Sequence, residues 1–175
     1  MKLRVYIVLL FLFISVASFA ADDPPKVGDD APLWTLQDAK EKEHSLKKLK
    51  GKVVFLILGN RKIRKEDDKW AEAFQKDFKN NKLVTAFIIG DLRSVPGFVP
   101  KRFVRFQLNR KPPPVKFLLD WKGEVHKKYH TEKKKPNLFL ISSKGKIIYH
   151  RKTNFKPEIY GELKKHIDAE LKKVP

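Results

Sequence analysis

The strongest constraint on the fold is a continuous apolar run, VVFLIL, at residues 53–58, bounded by Gly51 and Gly59. A run of this length without polar alternation is typical of a β-strand that is buried on both faces, as in a parallel sheet covered by helices. A second such run lies within residues 82–92 and ends near Gly90. The chain is therefore predicted to form an α/β domain in which residues 53–58 are a central parallel strand.

Periodic apolar residues predict helices between the strands. After the first strand, Ile63, Trp70, Phe74 and Phe78 recur on one helical face, and Asp67 is expected to point largely away from it. Further helices are expected at about residues 100–111, 123–130 and 157–173. An N-terminal hairpin is expected within residues 33–46, and the remaining strands at residues 84–89, 115–120, 138–142 and 146–150. The last two strands should be antiparallel to each other.

The first twenty residues have the pattern of a secretory signal. MKLR carries two cations, an apolar stretch follows, and Ser18 and Ala20 place small residues before Ala21. Cleavage there would give a periplasmic or secreted protein. An uncleaved N-terminal membrane anchor is the alternative, because the apolar run approaches the length of about 17–25 residues that spans a bilayer. The predicted organisation is a signal peptide at 1–20, an irregular lead-in at 21–31 and one domain at 32–175.

Lysine dominates the charge of the chain. The formal net charge is +19, and the 39 basic residues comprise 31 Lys and 8 Arg. Such a charge favours anionic partners, but arginine is the residue that recognises phosphates and bases in a bidentate manner. The composition therefore predicts a diffuse lysine coat that binds polyanions weakly or contacts a membrane surface electrostatically, without a specific nucleic-acid site.

The sequence contains no cysteine, which excludes disulfides, thiolate catalysis and iron–sulfur ligation. No nucleotide-binding or hydrolase motif occurs. His126 and His130 have a spacing that lets two imidazoles share a metal, but nearby lysines would repel a cation, so both are expected to be surface residues. Asp91 and Asp120 end predicted strands and are expected to be turn or cap residues. Neither a cofactor nor a metal is predicted.

Four segments occur in an order and spacing that resemble a known family: VGDDAPLWTLQD, SLKKLKGKVVFLIL, LLDWKGEVHKKYH and KKPNLFLISSKGKIIYH. Over roughly residues 26–173, they resemble the redoxin branch of the thioredoxin-like superfamily. That branch includes the alkyl hydroperoxide reductase/thiol-specific antioxidant family and periplasmic thiol:disulfide reductases. The resemblance implies a thioredoxin-like α/β fold with a central mixed sheet, helices on both faces and an N-terminal hairpin extension.

The resemblance also implies where the active site should lie. Redoxins carry their cysteine motif between the first central strand and its helix, and Glu66 fixes the register so that Asn60 and Ile63 stand at the cysteine positions. Pro136 resembles the family proline whose peptide bond is cis, and it is expected to be cis. The degenerate active-site positions are therefore Asn60, Arg61, Lys62, Ile63 and Pro136, and no catalytic residue is predicted.

Four cations crowd the start of the helix that follows: Arg61, Lys62, Arg64 and Lys65. A helix N-terminus already carries partial positive charge, so a bound anion would offset the excess through the free N–H groups. Arg61, Lys62 and Arg64 are the predicted residues of such a weak anion site. Asn60 is expected to cap the helix, and Ile63 is expected to be part of the core.

Taken as a sequence, the chain predicts an exported, cysteine-less protein of thioredoxin fold that resembles redoxin enzymes but acts as a non-catalytic binding or structural module, a pseudoenzyme with an unknown protein partner. Two alternatives remain open. One is a basic envelope-binding or polyanion-binding protein. The other is the antioxidant or oxidoreductase activity that the family resemblance implies, against which the missing cysteines argue.

Overall fold

A computed structural model describes residues 23–174. The predicted signal segment, residues 1–20, lies outside the described residues. In chain order the elements are β1 (Thr35–Gln37), β2 (Glu43–Ser45), β3 (Val53–Asn60), α1 (Arg64–Phe78), β4 (Val84–Asp91), α2 (Lys101–Arg110), β5 (Lys116–Asp120), α3 (Glu124–Lys128), β6 (Asn137–Ile141), β7 (Ile147–Lys152) and α4 (Pro157–Leu171). Short 3-10 turns at Leu46–Leu49 and Arg61–Ile63 precede β3 and α1.

The central sheet has five strands in the order β5-β4-β3-β6-β7. Strands β3, β4 and β5 are parallel, whereas β6 is antiparallel to both β3 and β7. The predicted central position of residues 53–58 and the antiparallel pairing of the last two strands are thus confirmed. Strands β1 and β2 form the predicted N-terminal hairpin, which reaches β5 through a bridge between Asp38 and Leu118.

Alternate residues of β3 enter two separate hydrophobic cores. Val53, Phe55 and Ile57 pack with the buried faces of α1 and α4. Their neighbours along the strand pack on the opposite side of the sheet with the N-terminal hairpin, the first 3-10 turn and α3. Because both faces are covered, the strand has no polar position before its end, which explains the continuous apolar run.

The lead-in before the hairpin is held against β7. The N–H of Gly28 donates to the carbonyl of Ile147 (2.8 Å), and the N–H of Ala31 donates to the carbonyl of Gly145 (2.9 Å). Gly28 has a φ of 101°, a conformation that favours glycine. Within residues 23–174, no helix has both the length and the apolar character needed to cross a membrane.

Candidate functional site

Polar residues end the three parallel strands at one edge of the sheet. Asn60 at the end of β3 is paired with Asp91 of β4, which in turn is paired with Asp120 of β5. In open α/β sheets, ligands bind outside the carboxyl ends of the strands. The segment 60–63, which the resemblance indicates as the degenerate active site, leaves the central strand at this edge.

Both polar atoms of the Asn60 side-chain amide form hydrogen bonds to the protein backbone. Its Oδ1 accepts a hydrogen bond from the N–H of Lys62 (2.9 Å), and its Nδ2 donates to the carbonyl of Lys133 (2.8 Å). The predicted capping role is therefore confirmed, although Asn60 caps a 3-10 turn and not the α-helix itself. The second hydrogen bond ties this turn to the loop that leads to Pro136.

Fewer cations lie in the first turn of helix α1 than the sequence predicts. Helix α1 begins at Arg64, so Arg61 and Lys62 precede it in the 3-10 turn, where both are exposed. The first turn of the α-helix itself includes Glu66 and Asp67, acidic residues that suit the partial positive charge of a helix N-terminus.

Arg64 is engaged by other groups. Its Nε donates to Oδ1 of Asp68 (2.7 Å), and its guanidinium carbon lies 4.7 Å from the centre of the Phe117 ring. Arg61, Lys62 and Lys65 are therefore the cations of this segment that face solvent, and the first two lie in the 3-10 turn. The anion site at Arg61, Lys62 and Arg64 stays a prediction, with Arg64 in the least favourable position to serve it.

The structure corrects two placements in this region. Ile63 is half-buried and belongs to neither core, because it closes the 3-10 turn before the apolar face of α1 begins. Asp67, which was expected to point away, is instead fully buried. The spacing contained the signal, since Asp67 precedes Trp70 by three residues and Phe74 by seven and so lies on their face of the helix.

Burial dominates the electrostatics of Asp67. Desolvation raises the pKa of its carboxyl group to about 8, because the nearby charge of Arg64 offsets only part of the cost. Its Oδ1 has no hydrogen-bond partner within the described structure. The carboxyl group packs against Gly59, the residue immediately before Asn60.

The prediction of a cis peptide bond at Pro136 is wrong, since residues 23–174 contain no cis peptide bond. The trans form is intrinsically preferred by about 0.5–1 kcal/mol before proline. Here the neighbouring Asn137 also fixes the loop: its Nδ2 lies 2.8 Å from the carbonyl oxygen of Glu132 and 3.0 Å from that of Lys135, and its Oδ1 accepts from the N–H of Glu132 (2.8 Å). Sequence analysis missed Asn137, although it is the one polar residue at the head of the apolar run of β6.

His126 is also misplaced by the sequence prediction, because it is buried and not on the surface. Its Nδ1 lies 2.8 Å from Oδ2 of Asp120, and its Nε2 lies 3.0 Å from the carbonyl oxygen of Gly59. Both partners are oxygen acceptors, so each contact is a hydrogen bond when the ring nitrogen that faces it carries a proton. His126 therefore joins the ends of β5 and β3.

Asp120 and Asp91 act as the predicted cap and turn residues. Asp120 accepts the N–H groups of Glu124 and His126, both at 3.0 Å. Asp91 accepts from the backbone and guanidinium of Arg93. Burial alone would raise the pKa of both carboxyl groups. The hydrogen bonds from His126 to Asp120 and from Arg93 to Asp91 outweigh burial, so each pKa lies below its usual value.

The polar groups at the strand ends all form hydrogen bonds within the protein. Asn60, Asp91, Asp120 and His126 each have protein partners. Among the described residues, no group of three or more His, Asp or Glu side chains could hold a metal ion. What the edge presents to solvent is a cationic surface, formed by Arg61 and Lys62 beside the loop at 133–135.

The model of the AhpC/TSA family matches residues 27–150. The chain belongs to the AhpC/TSA family. The resemblance predicted from the four sequence segments is thereby confirmed, and this AhpC/TSA member contains no cysteine. No curated protein sequence matches the chain significantly.

Solved structures share the fold of this AhpC/TSA protein. One is a candidate thiol:disulfide interchange protein, DsbE, from Chlorobium tepidum, with 21% identity over 84% of this chain and 99% of the other, and a TM-score of 0.67. A second is the C-terminal domain of a candidate thiol-disulfide oxidoreductase from Bacteroides thetaiotaomicron, with 24% identity over 85% of this chain and 97% of the other, and a TM-score of 0.64. A third is a peroxiredoxin-like protein from Aquifex aeolicus, with 17% identity over 82% of this chain and 88% of the other, and a TM-score of 0.60. These likenesses establish the thioredoxin-like fold.

Proposed function

We propose that this AhpC/TSA protein is an exported, non-catalytic module that binds an acidic partner through a docking edge, defined as the exposed residues Arg61, Lys62, Lys133, Lys134 and Lys135. The signal-like pattern of residues 1–20 supports export. The absence of cysteine supports a non-catalytic role, because thiol exchange and peroxide reduction by redoxins require a thiolate.

The observation that carries the proposal is the engagement of Asn60. At the position where the resemblance places a redoxin cysteine, both the oxygen and the nitrogen of the Asn60 amide bond to protein backbone. A carboxamide is not a nucleophile at neutral pH, and here it closes the turn onto the 133–136 loop. The site thus has a structural linker in the place of a reactive group.

The charge of the docking edge defines the partner. Its five residues are all cations and all exposed. Two acidic residues close to these cations in sequence are paired with other groups: Glu132 binds Nζ of Lys152 (3.2 Å), and Glu66 binds Nζ of Lys69 (2.6 Å) and the N–H of Phe155 (2.9 Å). An acidic protein surface or peptide is complementary to such an edge.

The non-catalytic part of the proposal is tested by turnover. The purified wild-type protein and Asn60→Ala are assayed for dithiol-dependent reduction of a hydroperoxide and of a protein disulfide. Both should turn over at the rate of a cysteine-free control protein. Turnover above that rate that survives further purification and is lost in Asn60→Ala would overturn the proposal.

The binding part is tested with polyglutamate as the acidic probe, by titration calorimetry. Arg61→Ala/Lys62→Ala/Lys133→Ala is compared with Lys144→Ala/Lys165→Ala/Lys172→Ala, which removes the same charge from exposed positions elsewhere. The docking-edge variant should lose affinity several-fold more than its control. An equal loss would show that the lysine coat binds as a whole and that no docking edge exists.

A further inference from the structure

Exposed aromatic side chains are concentrated in one short segment. Phe98, Phe103 and Phe106 are 87%, 51% and 58% exposed. The other phenylalanines in the described part of the chain are buried or half-buried. Scattered exposed apolar residues are normal, but three large aromatic side chains within nine residues form a patch that indicates an interaction surface.

Helix α2 is held in an orientation that exposes these rings. Arg105, on its inner side, is only 16% exposed; its guanidinium donates to Oε1 of Gln37 (2.8 Å) and pairs with Glu41 (3.3 Å). Nδ2 of Asn109 donates to the carbonyl of Ala39 (3.2 Å). The helix therefore directs Arg105 towards the hairpin and Leu108 towards the core, and it leaves Phe103 and Phe106 exposed to solvent, where an ordinary surface helix carries polar residues.

The charge around the rings has one sign. Residues 92–119 contain seven cations and no Asp or Glu, and they include four of the eight arginines in the chain. Arg102 and Arg110 are exposed beside Phe103 and Phe106. Of the seven, Arg93 pairs with Asp91 and Arg105 with Glu41, whereas Arg102 and Arg110 have no carboxylate partner within the described structure.

We propose that helix α2 and the preceding Phe98 form a membrane-contact face that lies on the surface of an anionic lipid bilayer. The phenylalanine rings enter the boundary between headgroups and acyl chains, and Arg102 and Arg110 lie at the level of the lipid phosphates. Amphipathic helices with aromatic residues and flanking cations bind the interface in this way, through apolar burial and attraction to anionic lipid. The membrane-contact face is separate from the docking edge and does not depend on it.

A lipid surface fits this face better than a nucleic acid does. Single-stranded nucleic acids bind in a groove whose aromatic platforms stack successive bases. Phe103 and Phe106 instead project from the outer side of a helix, one turn apart. A projecting pair of rings is suited to insertion between the headgroups and acyl chains of a bilayer.

The absence of native cysteine permits a direct test with the full-length protein. Phe106→Cys is labelled with an environment-sensitive fluorophore, and Lys165→Cys, at an exposed position of α4, is the control. Vesicles of equal parts phosphatidylcholine and phosphatidylglycerol are added. The label at position 106 should shift to shorter wavelength and gain intensity, and the label at position 165 should not. Equal responses at the two positions, or none at position 106, would overturn the proposal.

Vesicle flotation measures the contributions of rings and charges. Phe103→Ser/Phe106→Ser and Arg102→Gln/Arg110→Gln are compared with Lys165→Gln/Lys172→Gln, all with the same N-terminus. Each cation near an anionic surface contributes about fivefold in affinity, so the arginine pair should weaken binding by roughly tenfold or more, and the control pair should have little effect. The phenylalanine pair should weaken binding even at high salt, where electrostatic attraction is screened.

Two results of flotation would reject the membrane-contact face. The first is equal weakening by the α2 and α4 variants, which would assign binding to the general lysine coat. The second is tighter binding of a single-stranded oligonucleotide than of the vesicles, with that binding lost in Phe103→Ser/Phe106→Ser, which would assign the face to nucleic acid.

Discussion

The carboxyl group of Asp67 lies directly against Gly59: a Cβ atom added at Gly59 would be 2.0 Å from Oδ2 of Asp67. Helix α1 can therefore approach the end of β3 only because residue 59 has no side chain. The carbonyl of the same glycine accepts the contact from His126. The strand end that presents Asn60 is thus positioned by two side chains, Asp67 and His126.

Gly59→Ala should destabilise the protein by roughly 1–3 kcal/mol, the usual cost of overpacking a filled core. Urea unfolding measures it. Gly161→Ala is the matched control, because a Cβ there meets nothing within 4 Å, and replacing a helical glycine by alanine stabilises by roughly 0.5–1 kcal/mol. Asp67→Ala should reduce the cost of Gly59→Ala in a double-mutant cycle. A Gly59→Ala protein as stable as the wild type would show that the contact does not exist.

Asp67 should make stability fall as the pH rises. Because its pKa is raised from 3.8 in the unfolded chain to about 8 in the folded protein, its contribution is fully present below pH 3.8 and is lost progressively up to about pH 8. Asp67→Asn removes this titration, so the variant should gain a few kcal/mol relative to the wild type between about pH 5 and pH 9. Urea unfolding midpoints of the wild type and Asp67→Asn at pH 5 and pH 9 measure the difference in stability. The same change with pH in both proteins would contradict the raised pKa of Asp67.

His126→Ala should cost roughly 1–3 kcal/mol, since it leaves the buried carboxylate of Asp120 without its side-chain hydrogen-bond partner. The control is His166→Ala at an exposed position of α4, which should change stability by about 0.5 kcal/mol or less. The lowered pKa of Asp120 means that its contribution is present above its unfolded pKa and lost as the pH falls through the folded value. Thermal unfolding of both variants at neutral pH measures the two losses of stability. A similar loss in His126→Ala and His166→Ala would refute the prediction.

Much of the fold could be predicted from the sequence because apolar runs and helical periodicity directly report burial. The run at 53–58 placed β3 at the centre of the sheet, and the spacing of Trp70, Phe74 and Phe78 placed the buried face of α1. The site was harder to predict because its polar residues are buried by tertiary contacts. Nothing local shows that His126 reaches the carbonyl of Gly59, 67 residues away in sequence.

The cis expectation at Pro136 failed for a related reason. It rests on the resemblance alone, whereas the conformation of this loop depends on the amide of Asn137 and on Asn60, which reaches the carbonyl of Lys133. Likewise, the assignment of Arg61 and Lys62 to the first helical turn failed because a short 3-10 turn has almost no sequence signature of its own.

Phosphate should shift the backbone amide resonances of residues 60–64 if Arg61 and Lys62 bind an anion at this turn. In Arg61→Ala/Lys62→Ala these shifts should be lost, whereas Arg64→Ala should reduce them less, because Arg64 is held by Asp68 and Phe117. Heteronuclear NMR titration of the three proteins provides the comparison. Unchanged shifts in the double variant would remove the anion site.

The central prediction is that residues 60–63 stand at the position of the redoxin active-site motif, without its sulfur. Asn60 caps the 3-10 turn that Ile63 ends, so Asn60→Cys/Ile63→Cys is predicted to bring two thiols within the Cβ separation of about 3.5–4.5 Å that a disulfide requires. The matched control is Asn60→Cys/Arg64→Cys, whose second position lies in the α-helix.

The most direct measurement is the alkylation rate of these thiols as a function of pH, together with the rate of disulfide closure. The account predicts that the 60/63 pair closes faster than the 60/64 pair, and that the thiol at position 60, beside Arg61 and Lys62, has a pKa below the free value of about 8.5. Equal closure rates, or a thiol pKa that stays near the free value, would contradict the placement of the lost active site.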